Sequence, residues 1–374
     1  MTSTRTTRAV APVLLAALAL AAACATTHPP MIAMPGAPAA AACRAPVAPD
    51  GARTTEAIVW TVASRARDML DAWCGTTGPP VIAPEPAPLW DGPDDLDGST
   101  HVDELVIVSW NVHVGSADVV ELVRRLRAGV LTGGSPVEHF VLLLQEAYRA
   151  DPIVPRLVSA AVRPPKAIRS HEDGRQRVDI VEVAQSLGLA LYYVPSMRNG
   201  GFTETDEDRG NAILSTEPLS DFTAIELPFE RQRRVAISAS ISGRDRDGDA
   251  WTLPLASAHL ESTVSARRLW ILANGARVRQ AHALLDAFRP GAPVVLGGDF
   301  NTWFGFSDPA YRTIAAAIDD AASADRRPTF PPFLRLDHLF SRLPDGWRVS
   351  ARRLDDTLGS DHYPLLARLQ PSAH

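Results

Sequence analysis

Val294-Val295-Leu296-Gly297-Gly298-Asp299-Phe300-Asn301 is a short apolar run that ends in a carboxylate and an amide. A run of this length, closed by glycines, reads as a buried strand rather than a helix. Asp299 and Asn301 then stand at a sheet rim, a rigid mount from which polar groups act with little reorganisation. Five other stretches repeat the arrangement, each with polar, metal-competent residues at or beside an apolar strand. They are Ser109-Trp110-Asn111-Val112, Gln145-Glu146, Ala258-His259-Leu260, Arg335-Leu336-Asp337-His338 and Gly359-Ser360-Asp361-His362.

Working outward from these motifs, strands are expected at residues 105–110, 140–145, 190–195, 212–215, 235–241, 251–259, 294–298, 336–340 and 365–369. Helical spacing covers residues 119–128, 178–187 and 264–288. Strands outnumber helices, and a Gly/Asp turn at 244–249 joins two of them as neighbours. This predicts an α/β protein with two sheets packed face to face and helices outside, rather than a doubly wound parallel sheet.

Residues 1–23 read as an export signal: Arg5 and Arg8 precede an apolar run too short for the roughly 20 helical residues of a bilayer span. Ala21-Ala22-Ala23-Cys24 resembles a bacterial lipobox, with Ala at its first position where Leu is usual, and suggests membrane attachment through a lipidated Cys24. The exported chain is expected in the periplasm, on the membrane as a lipoprotein, or secreted. Residues 24–100 form an Ala/Pro-rich tether. Within it, Ile58, Val62, Ala66, Met69, Leu70 and Trp73 predict a helical appendage over 54–73. Cys43 and Cys74 remain as an even pair in an oxidising compartment, which permits a disulfide; two free thiols are the alternative. Residues 101–374, which hold all six motifs, are expected to form the main and catalytic domain. The formal net charge of −6 argues against a generic polyanion binder, although a local basic patch remains compatible with it.

Phosphodiester hydrolysis needs an in-line water, a cation on a phosphoryl oxygen and donors for developing charge. Asn111, Glu146, Asp299 and Asp361 offer the hard oxygens that Mg²⁺ prefers. A carboxylate beside an imidazole orients the ring and raises its proton affinity, and Asp337 and His362 offer such groups. His259 either donates a proton to the leaving oxygen or holds the phosphate. Each residue taken singly has a duller reading: a surface carboxylate, a turn Asp or Asn, a structural histidine. The acidic run at residues 206–208 reads as a solvated loop. Arg231, Arg233 and Arg234 read as a strand-edge charge cluster.

The ordered series WNV, LLLQE, RGNAILS, AHLES, GGDFN, RLDH and SDHYP resembles the endonuclease/exonuclease/phosphatase superfamily over residues 103–371. The resemblance implies a four-layered α/β/β/α sandwich of the deoxyribonuclease-like kind. It further implies a Mg²⁺-dependent phosphoesterase, with Mn²⁺ possible, in which Glu146 and Asn111 serve the metal and phosphate shell. Asp299 and Asn301 would orient the attacking water and the scissile phosphate, and His362, polarised by Asp337, would contact the phosphate, with Asp361 beside the metal. His259 matches a deoxyribonuclease histidine, and Arg209 and Asn211 fall where the family often reaches toward substrate. Some members carry an acidic residue where this chain has His113, so His113 is expected to point at substrate or the metal shell is smaller. The expected substrate is a phosphate ester, either nucleic acid (an endonuclease-type activity) or a phospholipid headgroup (a sphingomyelinase-like one). The rival from another class is a non-catalytic binding protein on the same fold. A monomer is expected.

Overall fold

The computed structural model describes residues 31–34, 44–63, 75–87, 102–156, 176–199, 205–230, 232–245, 247–262 and 271–371. The export segment and Cys24, Cys43 and Cys74 lie outside them. In chain order the strands are Met31–Met34 (β1), Val59–Ala63 (β2), Val81–Ala83 (β3), Leu105–Asn111 (β4), Phe140–Ala150 (β5), Ala190–Arg198 (β6) and Glu207–Ser215 (β7). Ser220–Glu226 (β8), Val235–Arg244 (β9), Ala250–His259 (β10), Val294–Asp299 (β11), Asp319–Asp320 (β12), Asp337–Arg342 (β13), Arg348–Arg353 (β14) and Leu365–Gln370 (β15) follow. The helices are Val119–Arg127 (α1), Ile180–Leu187 (α2), Ile271–Asp286 (α3) and Pro309–Ala315 (α4).

Among the described residues the strands form two mixed sheets, β1-β2-β8-β9-β10-β11-β13-β12 and β14-β15-β4-β5-β7-β6-β3. β4 is buried along its whole length because both of its faces are covered. Leu105 and Ile107 enter the core between the sheets with Val141, Leu143, Ile237, Leu255 and Val295. Val106, Val108 and Trp110 face the other way, into a layer with α1 and α2. On the second sheet, Ala256, Leu296 and Phe340 pack on Leu284 of α3 and Ile314 of α4. Alternation with period two thus feeds two cores from each strand, and the result is the α/β/β/α sandwich.

The expected helix over 54–73 does not form where residues 59–63 are described. They are β2, parallel to β8, with Trp60 and Val62 in the inter-sheet core. Ile58 and Val62 stand four apart, which fits the helical stripe, but with Trp60 buried between them they alternate as a strand does; residues 64–74 lie outside the described set. Nor does residue 101 separate sandwich from tether. β2 extends one sheet and β3 pairs with β6 at the edge of the other, so the upstream segment supplies strands to both. The helix expected over 264–288 is described as Ile271–Asp286. β8 and β14 carried no clear alternation; β14 is exposed or half-buried throughout.

Two glycines let β11 sit where it does. A Cβ on Gly297 would lie 2.6 Å from Ser109 Cβ across the sheets, and one on Gly298 2.1 Å from the Ala258 carbonyl oxygen on the next strand. Gly298→Ala is expected to force β10 and β11 apart and cost about 1–3 kcal/mol, as overpacked cores do. Scanning calorimetry checks it; an unchanged melting temperature would mean that the close approach is dispensable.

Candidate functional site

The register aligns three strand ends in a row. His259 of β10 lies beside Asp299 of β11, which lies beside Asp337 of β13. The facing sheet brings Asn111 at the end of β4 and Glu146 on β5. Between Leu144↔Ala212 and Ala147↔Gly210, two β5 residues oppose one of β7, a bulge that turns Glu146 to a φ of 54°. The loop before β15 is pinned to β4: the Trp110 indole donates to the His362 carbonyl at 3.0 Å and the Ser360 hydroxyl to the Asn111 carbonyl at 2.6 Å.

Asp299 is where these groups meet. The Asn111 amide donates to its Oδ2 at 3.0 Å, across the gap between sheets. His259 Nε2 lies 3.4 Å and His362 Nε2 3.8 Å from that same oxygen. The Asn301 backbone N–H donates to Oδ1 at 2.9 Å. His362 Nδ1 is 2.8 Å from Asp337 Oδ2, and its ring is edge-on to Phe330. Glu146 Oε1 lies 4.0 Å from His259 Nδ1. Asp361, 41% exposed at its side chain, is 3.9 Å from His362 Nε2 and 3.6 Å from His113 Nδ1. Side chains from both sheets therefore converge on one buried carboxylate at one rim.

The family model for the Endonuclease/Exonuclease/phosphatase family matches residues 108–362. The chain belongs to this family. Two Vibrio cholerae serotype O1 proteins described as UPF0294 proteins are each 35% identical over 96 residues, a quarter of this chain (25%) and 33% of theirs, so the chain spans about a third of the curated relatives it matches. Among solved structures, an endonuclease/exonuclease/phosphatase from Beutenbergia cavernae is 19% identical with a TM-score of 0.47, covering 73% of this chain and 72% of that one. The human Nocturnin catalytic domain, with bound sulfate, is 17% identical with a TM-score of 0.45, covering 73% and 96%. An AP endonuclease from Archaeoglobus fulgidus is 15% identical with a TM-score of 0.44, covering 70% and 98%.

Members of the endonuclease/exonuclease/phosphatase family are typically metal-dependent phosphoesterases, and the donor set here fits a divalent cation. Ligand atoms of Asp299, Asp337 and His362 lie within 4.8 Å of one another. Asp337 Oδ1 and His259 Nε2 are buried without a hydrogen-bond partner among the described residues. His362 is the weakest ligand of that trio, because Asp337 already occupies Nδ1 and the ring is cationic. Oxygens of Asp299 and Glu146, with Asn111 between the sheets, suit a hard cation better.

Burial pushes the His362 imidazolium down, but Asp337, Asp299, the hydrogen bond to Asp337 and Asp361 together outweigh it and hold the group at about 10. Burial raises the Asp299 carboxyl above its ordinary range; Asp337 adds to this and His362 opposes it. Burial drives His259 well down, reinforced by Arg234, His362 and Arg209, so this ring is neutral.

The side chains of other expected site residues are spent on local bonds beside this cluster. The Asn301 amide donates to the Leu260 carbonyl at 3.1 Å and holds its turn. Asn211 is tied to the Val235 carbonyl at 2.7 Å and serves as the single residue opposite the bulge. Arg209 is buried beside it with Nη2 on Met197 Sδ. The run 206–208 is not a solvated loop: Asp208 is fully buried against Arg149, whose fork it accepts. Arg233 and Arg234 are not an exposed edge cluster either; Arg233 grips Glu226 with two 2.8 Å bonds, and both are buried. Arg231 lies outside the described residues. The sequence reading missed Thr329, whose hydroxyl accepts the Leu336 and Asp337 N–H groups at 3.0 Å, and Phe330; neither stands in a motif.

The raised group on His362 fixes a pH sign. Its contribution to stability is present in full below the ordinary value of 6.5 and fades as pH rises through about 10. In the metal-free protein the stability lost by Asp337→Asn should therefore shrink between neutral pH and pH 10. Denaturant unfolding across that range measures it, and a gap that widens with pH would contradict the ion pair.

Proposed function

We propose that this protein is an exported, Mg²⁺-dependent phosphodiesterase, with Mn²⁺ as a substitute, acting first on nucleic acid in an endonuclease-type reaction. The observation that carries the reading is the buried carboxylate of Asp299, contacted from both sheets by Asn111, His259 and His362. When bound among Asp299, Glu146 and Asn111, the cation would neutralise phosphoryl charge. The His362 imidazolium, fixed by Asp337, donates to a phosphoryl oxygen from Nε2. Asp299 accepts the proton of the attacking water. Neutral His259 holds a phosphate oxygen, and the leaving oxygen takes its proton from the His362 imidazolium. Asp361 and His113, at the open side of the site, face where substrate would enter. The Arg5/Arg8 leader and Cys24 support an enzyme outside the cytoplasm, in the periplasm or tethered to the membrane.

A second reading, a sphingomyelinase-like phospholipid headgroup phosphodiesterase, draws on exposed aromatics on site-side loops. Trp303 and Phe304 follow Asn301 closely and are 38% and 41% exposed; Phe333, near the ring that packs on His362, is 74% exposed.

Purified protein with Mg²⁺ should nick plasmid DNA faster than it releases phosphocholine from sphingomyelin vesicles. The reverse order selects the second reading, and no turnover of either, with Mg²⁺ or Mn²⁺, selects a binding protein on this fold. Asp299→Ala and His362→Ala should each lose on the order of 10²–10⁴ in rate, the usual worth of acid–base groups, with circular dichroism unchanged. Wild-type rates in both would overturn the assignment.

A further inference from the structure

The buried pair of Arg149 and Asp208 has no part in the chemistry above, yet it sits three residues past Glu146 on β5. Arg149 Nε donates to Asp208 Oδ1 at 3.0 Å, and Nη2 also reaches Asp208. The Tyr193 hydroxyl donates to the same carboxylate at 2.8 Å, with the guanidinium 5.1 Å over the Tyr193 ring. The upstream segment closes the cluster. The Gly78 N–H donates to Asp208 Oδ2 at 2.9 Å, and Arg149 Nη1 donates to the Pro79 carbonyl at 2.8 Å. A Cβ on Gly78 would lie 2.2 Å from Arg149 Nη2, so the backbone is pressed onto the fork.

Buried ion pairs of this kind add little net stability but can fix register, because a mismatched arrangement leaves a charge buried alone. Register is what Glu146 needs. Gln145 and Glu146 together oppose Asn211, and beyond the bulge Ala147↔Gly210, Tyr148↔Arg209 and Arg149↔Asp208 pair directly. A one-residue slip would remove the bulge, relax the positive φ of Glu146 and turn Arg149 to the opposite face, away from Asp208. Asn211 and Gln145, tied to Val235, Ser257 and Leu143, hold the near side of the bulge. Arg149 and Asp208 hold the far side.

We propose that the Arg149–Asp208 pair, capped by Gly78 and Pro79, locks the strand register that presents Glu146, so that the segment upstream of the family-matched region sets the affinity of the site for its divalent cation. Arg149, Asp208 and Gly78 are positioning residues, and the inference rests on the proposal that Glu146 serves that cation.

The test is Mn²⁺ binding to the metal-free full chain, read by electron paramagnetic resonance of free Mn²⁺ without substrate. Arg149→Met/Asp208→Asn removes both charges together and leaves an acceptor for Tyr193 or Gly78. Gly78→Ala keeps both charges and displaces the fork, and it decides the matter if the double variant does not fold. Each folded variant should bind Mn²⁺ about 10–100-fold more weakly, as when groups supporting a metal ligand are lost, with faster amide exchange at residues 145–150. Variants that bind like the wild-type protein, even with a lowered melting temperature, overturn the register lock alone. A wild-type chain that binds no Mn²⁺ overturns the proposed function and this inference with it.

Discussion

Burying the carboxylate of Asp299 at 2% exposure is the constraint around which the rest of the rim is arranged. An unpartnered carboxylate out of water costs several kcal/mol, and here it is surrounded by polar groups from several strands. Asn111 reaches it from the opposite sheet, the Asn301 N–H from its own turn, and the histidines from β10 and the loop before β15. Such convergence requires the two sheets to approach closely at β11. Gly297 permits that, because a side chain there would strike Ser109 of the facing sheet, and Gly298 lets β10 lie close beside β11, because a side chain there would strike the Ala258 backbone. The glycines before Asp299 are thus part of the same device as the acid itself.

Several site residues sit in backbone conformations that cost free energy elsewhere. His113, Glu146 and Asn301 have φ values of 47°, 54° and 50°, where L side chains are strained. The strain is held in place by neighbouring bonds: the Asn111 carbonyl group of the side chain accepts the His113 N–H at 3.0 Å, Asn301 is bonded at both its N–H and its amide, and the Glu146 bulge is gripped on both sides. Two chemical tendencies are separated by this packing. His362 is kept cationic by the carboxylates around it, whereas His259, buried beside two guanidiniums, is kept neutral. One rim therefore holds a charged donor and an uncharged imidazole on either side of Asp299.

Much of this was legible along the chain. Apolar runs ending in Asn111, His259, Asp299 and Asp337 announced strand ends, and the strands there begin or finish within a residue or two of those positions. Alternation at Leu105–Asn111 also carried the layering, since each face of a strand buried on both sides must meet a different core. The upstream strands were not legible. Over Val59–Ala63 a stripe of Ile58, Trp60 and Val62 fits more than one period, and only its partner β8 selects the strand.

The sequence by itself determined which residue types stand at the strand ends and in what order, because side-chain periodicity and turn chemistry are local. Tertiary structure alone decided which of them touch. Asp299 rather than Glu146 is the meeting point, Asn211 is spent on backbone carbonyls, and Asp208, in an acidic run that resembled a solvated loop, lies buried under Arg149. Those outcomes depend on burial and on partners up to 188 residues apart. A carboxylate with a buried partner and one in water look the same in the chain; only the packing around them tells them apart.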